Sequence, residues 1–234
     1  HEEHDLALTL QRSLLPRSLP ALSGLDVAVR YTPAGEHAEI GGDFYEVARL
    51  DDQLMVAVGD VGGHSLHAAT VMGEVRHATR AYIAEGHGPA AVLDRLNQLM
   101  AKLIPGEIAT MCLLSIDMST GRARLANAGH PPPLLTCASG VHLLTERSPL
   151  LGIPVRPAAE TEITIEVGDT LVFYTDGLIE TRDGTLDENL ARLSAACATV
   201  ESDLEAFASR LLADVGPATP ADDIAMVIIR RHSA

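Results

Sequence analysis

Tryptophan is absent, and the remaining aromatics are four tyrosines and three phenylalanines. So few rings argue against a protein that stacks the bases of single-stranded nucleic acid. Lysine occurs once, at Lys102, and acidic residues outnumber basic ones by 32 to 17, a formal charge of −15. That balance argues against a phosphate backbone or an anionic membrane surface as partner. Cysteine occurs three times, at Cys112, Cys137 and Cys197, in no metal-binding spacing. An odd number without a framework reads as free thiols in a reducing cytoplasm. No apolar run approaches the ~18 residues of a membrane helix, and the longest, Ile224 to Ile229, is strand-sized. No signal-peptide pattern opens the chain. Its first residue, His1 rather than Met, reads as the start of a piece of something longer.

What is present is enough for one well-packed domain: 234 residues, 47% of them hydrophobic. Residues 1–20 read as an N-terminal linker or regulatory helix and 21–234 as the domain proper. In the first segment Leu6, Leu10 and Leu14 recur at helical spacing until Pro16. That stripe is equally suited to packing on its own domain and to relaying a signal from an upstream domain. Strands are expected at Leu25–Tyr31, and at Phe44–Leu50 and Leu54–Val58 around a turn at Asp51-Asp52-Gln53. The period then changes. Ala68, Val71, Met72, Val75, Thr79 and Tyr82 mark one face of a helix over Leu66–Ala84. A second helix follows Pro89 and ends before Pro105-Gly106. Further hairpins are expected at 110–117 with 122–127, at 133–137 with 141–144, and at 162–167 with 170–175. Two helices, 186–196 and 203–213, precede a last strand at 224–230. Hairpins outnumber strand–helix–strand crossovers, which predicts an α+β fold with mainly antiparallel sheets and helices outside.

Four acidic positions share a setting. Asp43 follows Gly41-Gly42 at a strand start, Asp60 closes a strand before Val61-Gly62-Gly63, Asp176 closes a strand before Gly177, and Asp222-Asp223 opens the last strand. Asp beside Gly is a common turn pair, and Asp51-Asp52 and Asp183-Gly184 need be nothing more. The recurrence at strand ends allows the four to converge where backbone comes close to an ion. Two carboxylates ~5 Å apart repel by roughly 3 kcal/mol at an effective dielectric of 20, so convergence calls for cations. Oxygen-only ligation suits Mg²⁺, Mn²⁺ or Ca²⁺ and not zinc. Two such ions ~3.5–4 Å apart suit in-line attack on phosphorus.

These residues carry a resemblance. Leu14-Leu15-Pro16, Tyr31-Thr32-Pro33-Ala34, Gly41-Gly42-Asp43-Phe44-Tyr45-Glu46, Gly59-Asp60-Val61-Gly62-Gly63-His64, Asn127-Ala128-Gly129-His130-Pro131-Pro132, Tyr174-Thr175-Asp176-Gly177 and Asp222-Asp223-Ile224 occur in that order. Together they resemble the bacterial metal-dependent serine/threonine phosphatases of the RsbU and SpoIIE type, a branch of the PP2C superfamily. The resemblance implies an α-β-β-α sandwich and two Mn²⁺ or Mg²⁺ ions. It implies that Asp60 bridges both ions and that the Val61 carbonyl binds one. Asp43 would serve the first ion directly or through water, and Asp176 and Asp222 the second. Asp223, matching the second position of the paired motif, would not be a ligand. Asp60 and Asp43 would thus serve catalysis, a metal-bridging hydroxide attacking the phosphorus of phosphoserine or phosphothreonine. His64 would be either a general acid for the leaving alkoxide or a loop-structural residue, and His130 structural. The implied substrate is a phosphorylated anti-anti-sigma factor of the STAS type in a bacterial sigma-factor pathway. The implied context is an upstream sensor domain, with dimerisation through the N-terminal helix. One departure stands out. The family usually has glycine after the histidine of its Gly-Asp-Val-x-Gly-His motif, and Ser65 stands there, which would clash if the position needs a positive φ.

Other readings compete. A phosphatase-like module that only docks a partner is the alternative, although all four motif aspartates are intact. A phosphoacceptor receiver domain needs strand–helix alternation in about half this length, against the hairpins. His1-Glu2-Glu3-His4 misses the HExxH zinc pattern by one residue. Gly63-His64-Ser65-Leu66-His67 misses the serine-hydrolase elbow at its fifth position.

Overall fold

The computed structural model describes residues 15–16, 18–34, 41–63, 65–153, 155–180 and 184–233. The helix expected over residues 2–15 falls almost wholly outside this set, as do His64 and Asp183.

Ten strands form two five-stranded antiparallel sheets. In the first, β1 (Leu25–Thr32), β10 (Ile224–Arg231), β9 (Thr170–Tyr174), β6 (Leu134–Cys137) and β7 (Gly140–Leu143) lie side by side in that order. In the second the order is β2 (Asp43–Leu50), β3 (Gln53–Val61), β4 (Ala109–Asp117), β5 (Arg122–Ala128) and β8 (Thr161–Thr164). Helices α1 (Leu66–Ala84) and α2 (Pro89–Leu103) cover the second sheet, and α3 (Leu186–Cys197) and α4 (Leu204–Val215) cover the first. The order of layers is α-β-β-α, as expected.

Strand period separates the two cores. Along β10, Ala225, Val227 and Ile229 face the other sheet, while Ile224, Met226 and Ile228 face α4 with Phe207 and Leu211. A strand covered on both faces reads as an unbroken apolar run, which is why Ile224 to Ile229 carries no alternation. The same period splits β2. Asp43 lies towards the first sheet, while Glu46, three residues on, meets Arg76 of α1 on the outer face at 2.7 Å. Helix α1 buries Ala68, Val71, Met72, Val75, Thr79 and Ile83, one stripe at helical spacing. Proline at N1 starts α2, and a capping box of Thr185 with Glu188 starts α3.

One expected hairpin does not form. Residues 162–167 and 170–175 flank a real turn, in which the Asp169 carboxylate accepts from the Glu166 N–H at 2.8 Å. Yet β8 pairs with β5 of the second sheet, while β9 pairs with β10 and β6 of the first. The buried Ile165 makes the crossing. Its N–H donates to Gly121 O at 2.9 Å and the next contact, Gly168 N–H to Arg231 O at 2.7 Å, is with the other sheet. The chain changes sheets here and does not fold back on itself.

Candidate metal centre

Three of the strand-end aspartates meet. One carboxylate oxygen each from Asp43, Asp60 and Asp176 lies within 4.8 Å of the others. Asp43 and Asp60 are brought together by the β2–β3 hairpin, whose register places them directly opposite one another, and opposed residues project to the same face. Asp176 comes from the other sheet. It follows β9 and opens a 3₁₀ turn, Asp176–Leu178.

The two sheets are tied at this point by Thr175. Its hydroxyl donates to Asp43 Oδ2 at 2.6 Å and accepts from the Ala225 N–H at 2.8 Å. Two glycines let the backbones close in. A Cβ on Gly42 would overlap the Val61 carbonyl oxygen, and one on Gly177 would overlap that of Asp223. The Val61 N–H donates to Gly42 O at 3.1 Å. Asp223 is buried and engaged in the wall, its Oδ2 accepting from the Tyr31 hydroxyl at 2.7 Å and its Oδ1 from the Ala34 N–H at 2.8 Å. Asp222 is exposed at the rim, outside the 4.8 Å group, and its Oδ1 accepts from the Asp223 N–H at 2.8 Å.

Crowding raises the proton affinity of these groups. The Asp43 carboxyl is pushed well above the carboxylate range by burial and then by the Asp60 charge. Burial, then Asp176 and Asp222, raise Asp60 to about 8. Asp176 is raised by burial, Glu180 and Asp222. Asp222 therefore acts on both Asp60 and Asp176 through its charge. These are the marks of carboxylates assembled for a positive partner. Asp176 Oδ1 is buried without a hydrogen-bond partner among the described residues, an orphan that a cation would satisfy. A divalent ion that prefers oxygen ligands fits this donor set.

The family described as Stage II sporulation protein E (SpoIIE) matches residues 50–232. The chain belongs to this family of PP2C-type phosphatase domains. It is 26% identical to the phosphoserine phosphatase RsbU of Bacillus subtilis over 184 residues, which is 77% of this chain and 54% of RsbU. Among solved structures, the RsbU and RsbW domains of Rv1364c from Mycobacterium tuberculosis superpose with a TM-score of 0.84 at 32% identity, covering 92% of this chain and 64% of that one. The catalytic domain of the serine/threonine phosphatase PstP, a complex with two manganese ions, shares the fold with a TM-score of 0.62 at 16% identity, over 89% of this chain and 99% of that one. The chain thus spans little more than half the length of RsbU.

Within the SpoIIE-type frame the departure at Ser65 costs the backbone nothing. Ser65 is extended (φ −134°, ψ 168°) and caps α1, its hydroxyl accepting from the Ala68 N–H at 3.3 Å. Among the described residues of this turn, Gly63 is left-handed, at φ +103°. His64 lies outside the described residues. His130 is buried, hydrogen-bonded on both ring nitrogens, and held neutral by that burial with a pKa lowered to about 3. Thr175, Tyr31 and Thr110 carry no mark in the sequence that picks them out as site residues. Tyr31 and Thr175 sit inside the quoted motifs, but an uncharged residue carries no spacing signal that separates holding a ligand from packing.

Proposed function

We propose that this domain is a metal-dependent phosphatase that hydrolyses phosphoserine or phosphothreonine in a protein. The observation that carries the reading is the three-carboxylate cluster drawn from both sheets, with a buried, unpartnered oxygen on Asp176. Asp43, Asp60, Asp176 and Asp222, with the Val61 carbonyl, are the residues proposed to hold two Mn²⁺ or Mg²⁺ ions. When bound, such ions supply Lewis acidity towards phosphate and water acidified enough to attack phosphorus directly. The protein's part is positioning. Thr175 fixes Asp43, the β2–β3 register fixes Asp60 against it, and the 3₁₀ turn presents Asp176 from the facing sheet. Glu180 and Asp222 add negative charge at the rim. An anionic phosphate therefore binds only once cations have reversed the sign of the site.

The proposed substrate is a phosphorylated STAS-type anti-anti-sigma protein, which dephosphorylation would switch by removing charge. RsbU, to which the chain is similar, is a phosphoserine phosphatase, which supports phosphoserine as the group hydrolysed. Residues 1–20 are proposed as a linker helix from an upstream sensor domain, able to pair with a second copy, and residues 21–234 as the phosphatase domain. No helix among the described residues is long and apolar enough to cross a membrane.

The test is phosphate release from phosphoserine and phosphotyrosine peptides across a Mn²⁺ titration. Metal-dependent release from phosphoserine alone supports the reading. Calorimetric Mn²⁺ binding without release from either peptide supports the alternative, a catalytically weak partner-binding module. Removing residues 1–20 should alter turnover or sedimentation, and a truncation unchanged in both refutes the role given to that segment.

A further inference from the structure

Every residue proposed above as a ligand sits at the end of a strand, and those ends belong to two different sheets. The spacing of the carboxylates is therefore the spacing of the sheets at one edge. Apolar packing between sheets fixes that spacing softly, because side chains of the core adapt. A hydrogen-bonded strut fixes it more sharply.

The side chain of His130 is placed as such a strut. Its Nδ1 lies 2.8 Å from the Thr110 hydroxyl and its Nε2 lies 3.1 Å from the Tyr174 carbonyl oxygen. Thr110 is in β4, directly opposite Asp60 in the β3–β4 register. Tyr174 ends β9, immediately before Thr175 and Asp176. One imidazole thus spans the second sheet at the level of Asp60 and the first sheet at the level of Asp176. A carbonyl only accepts, so Nε2 carries the proton, and Nδ1 of the neutral ring accepts from Thr110. The ring's own backbone is clamped. The Asn127 side chain accepts from the His130 N–H at 2.8 Å and donates to the His130 carbonyl at 3.0 Å. Gly129, at φ +68°, makes the turn that allows this.

We infer that His130 is a positioning residue for the metal centre, holding the β3–β4 edge and the β9 end at the separation that cations require. The inference rests on the phosphatase reading, and it assigns a function to the Asn127-Ala128-Gly129-His130 segment beyond packing. It also assigns Thr110 as the strut's second anchor. Neither residue touches substrate or metal.

The experiment is calorimetric Mn²⁺ binding to the whole chain, wild type against Thr110→Val and His130→Gln. Thr110→Val is nearly isosteric and replaces the hydroxyl by a methyl group, so it keeps the inference testable if the histidine variant fails to fold. Leu96→Ala, in the core under α2, serves as the control for lost stability. The expected result is a Mn²⁺ Kd weakened roughly 10–100-fold in the strut variants, as when groups supporting metal ligands are removed elsewhere. The control should melt at lower temperature with its Kd unchanged. Nitrogen-15 NMR of the wild-type imidazole should show the proton on Nε2. A folded Thr110→Val protein that binds Mn²⁺ as the wild type does, or a ring protonated on Nδ1 alone, overturns the strut while leaving the phosphatase reading intact. A wild-type protein that binds no Mn²⁺ overturns both.

Discussion

Replacing Asp60 with asparagine should stabilise the metal-free protein while removing its metal-dependent activity. Three carboxylate oxygens lie within 4.8 Å of one another, and each ionised pair at that range repels by roughly 3 kcal/mol at an effective dielectric of 20. Burial, and then the charges of Asp176 and Asp222, raise Asp60 to about 8, so the metal-free protein holds a proton there. In the unfolded chain the same group ionises near the ordinary aspartate value. Between about pH 4 and pH 8 the folded state thus holds a proton that the unfolded state has lost, and stability falls as pH rises through that window. At pH 7 the window spans about three pH units, which sets an upper bound of about 4 kcal/mol on the cost. Asparagine has no proton to hold. The variant should gain about 2–4 kcal/mol at pH 7 and show a shallower pH dependence. Urea denaturation in EDTA at pH 5, 6, 7 and 8 measures both quantities. A metal-free variant less stable than wild type, or one whose pH dependence parallels it, would refute the reasoning. Saturating Mn²⁺ should reverse the order, because only the wild type then gains binding energy.

The remaining predictions concern the frame around the site. Glu46→Ala should cost about 3–5 kcal/mol, because it removes a carboxylate that meets the Arg76 guanidinium at 2.7 Å in the buried layer between β2 and α1. Both side chains are at most 4% exposed, and adding Arg76→Met should recover most of the loss; a single-variant cost under about 1 kcal/mol in urea denaturation contradicts this. Ser65→Ala should cost about 1 kcal/mol through loss of the α1 cap, and Ser65→Gly only a few tenths. Equal melting temperatures for wild type and Ser65→Ala would show that the cap contributes nothing.

Local chemistry made most of the elements legible. The helix over Leu66–Ala84 follows from an apolar stripe between Ser65 and Gly86, and the second from Pro89 and the spacing of Val92, Leu93, Leu96 and Met100. Both are positional statements along one segment. The hairpin expected at 162–175 fails for the converse reason. Its turn was legible, but which strand each arm pairs with depends on β5 and β10, whose paired residues lie 36 or more positions away in sequence. The site divides the same way. Glycine next to aspartate at a strand end marked Asp43, Asp60 and Asp176, because charge and close backbone approach both leave a trace in residue type. Thr175, Thr110 and the span of His130 left none. Each acts by joining two sheets, and only the folded register states which residues face each other.

The acidic centre is proposed to act as a phosphatase through divalent metal. Hydrolysis of p-nitrophenyl phosphate across a Mn²⁺ titration, with Asp176→Asn in parallel, tests it most directly. Turnover should rise with Mn²⁺ in the wild type and be lost in the variant. Turnover that persists in EDTA, or that survives Asp176→Asn unchanged, would contradict it.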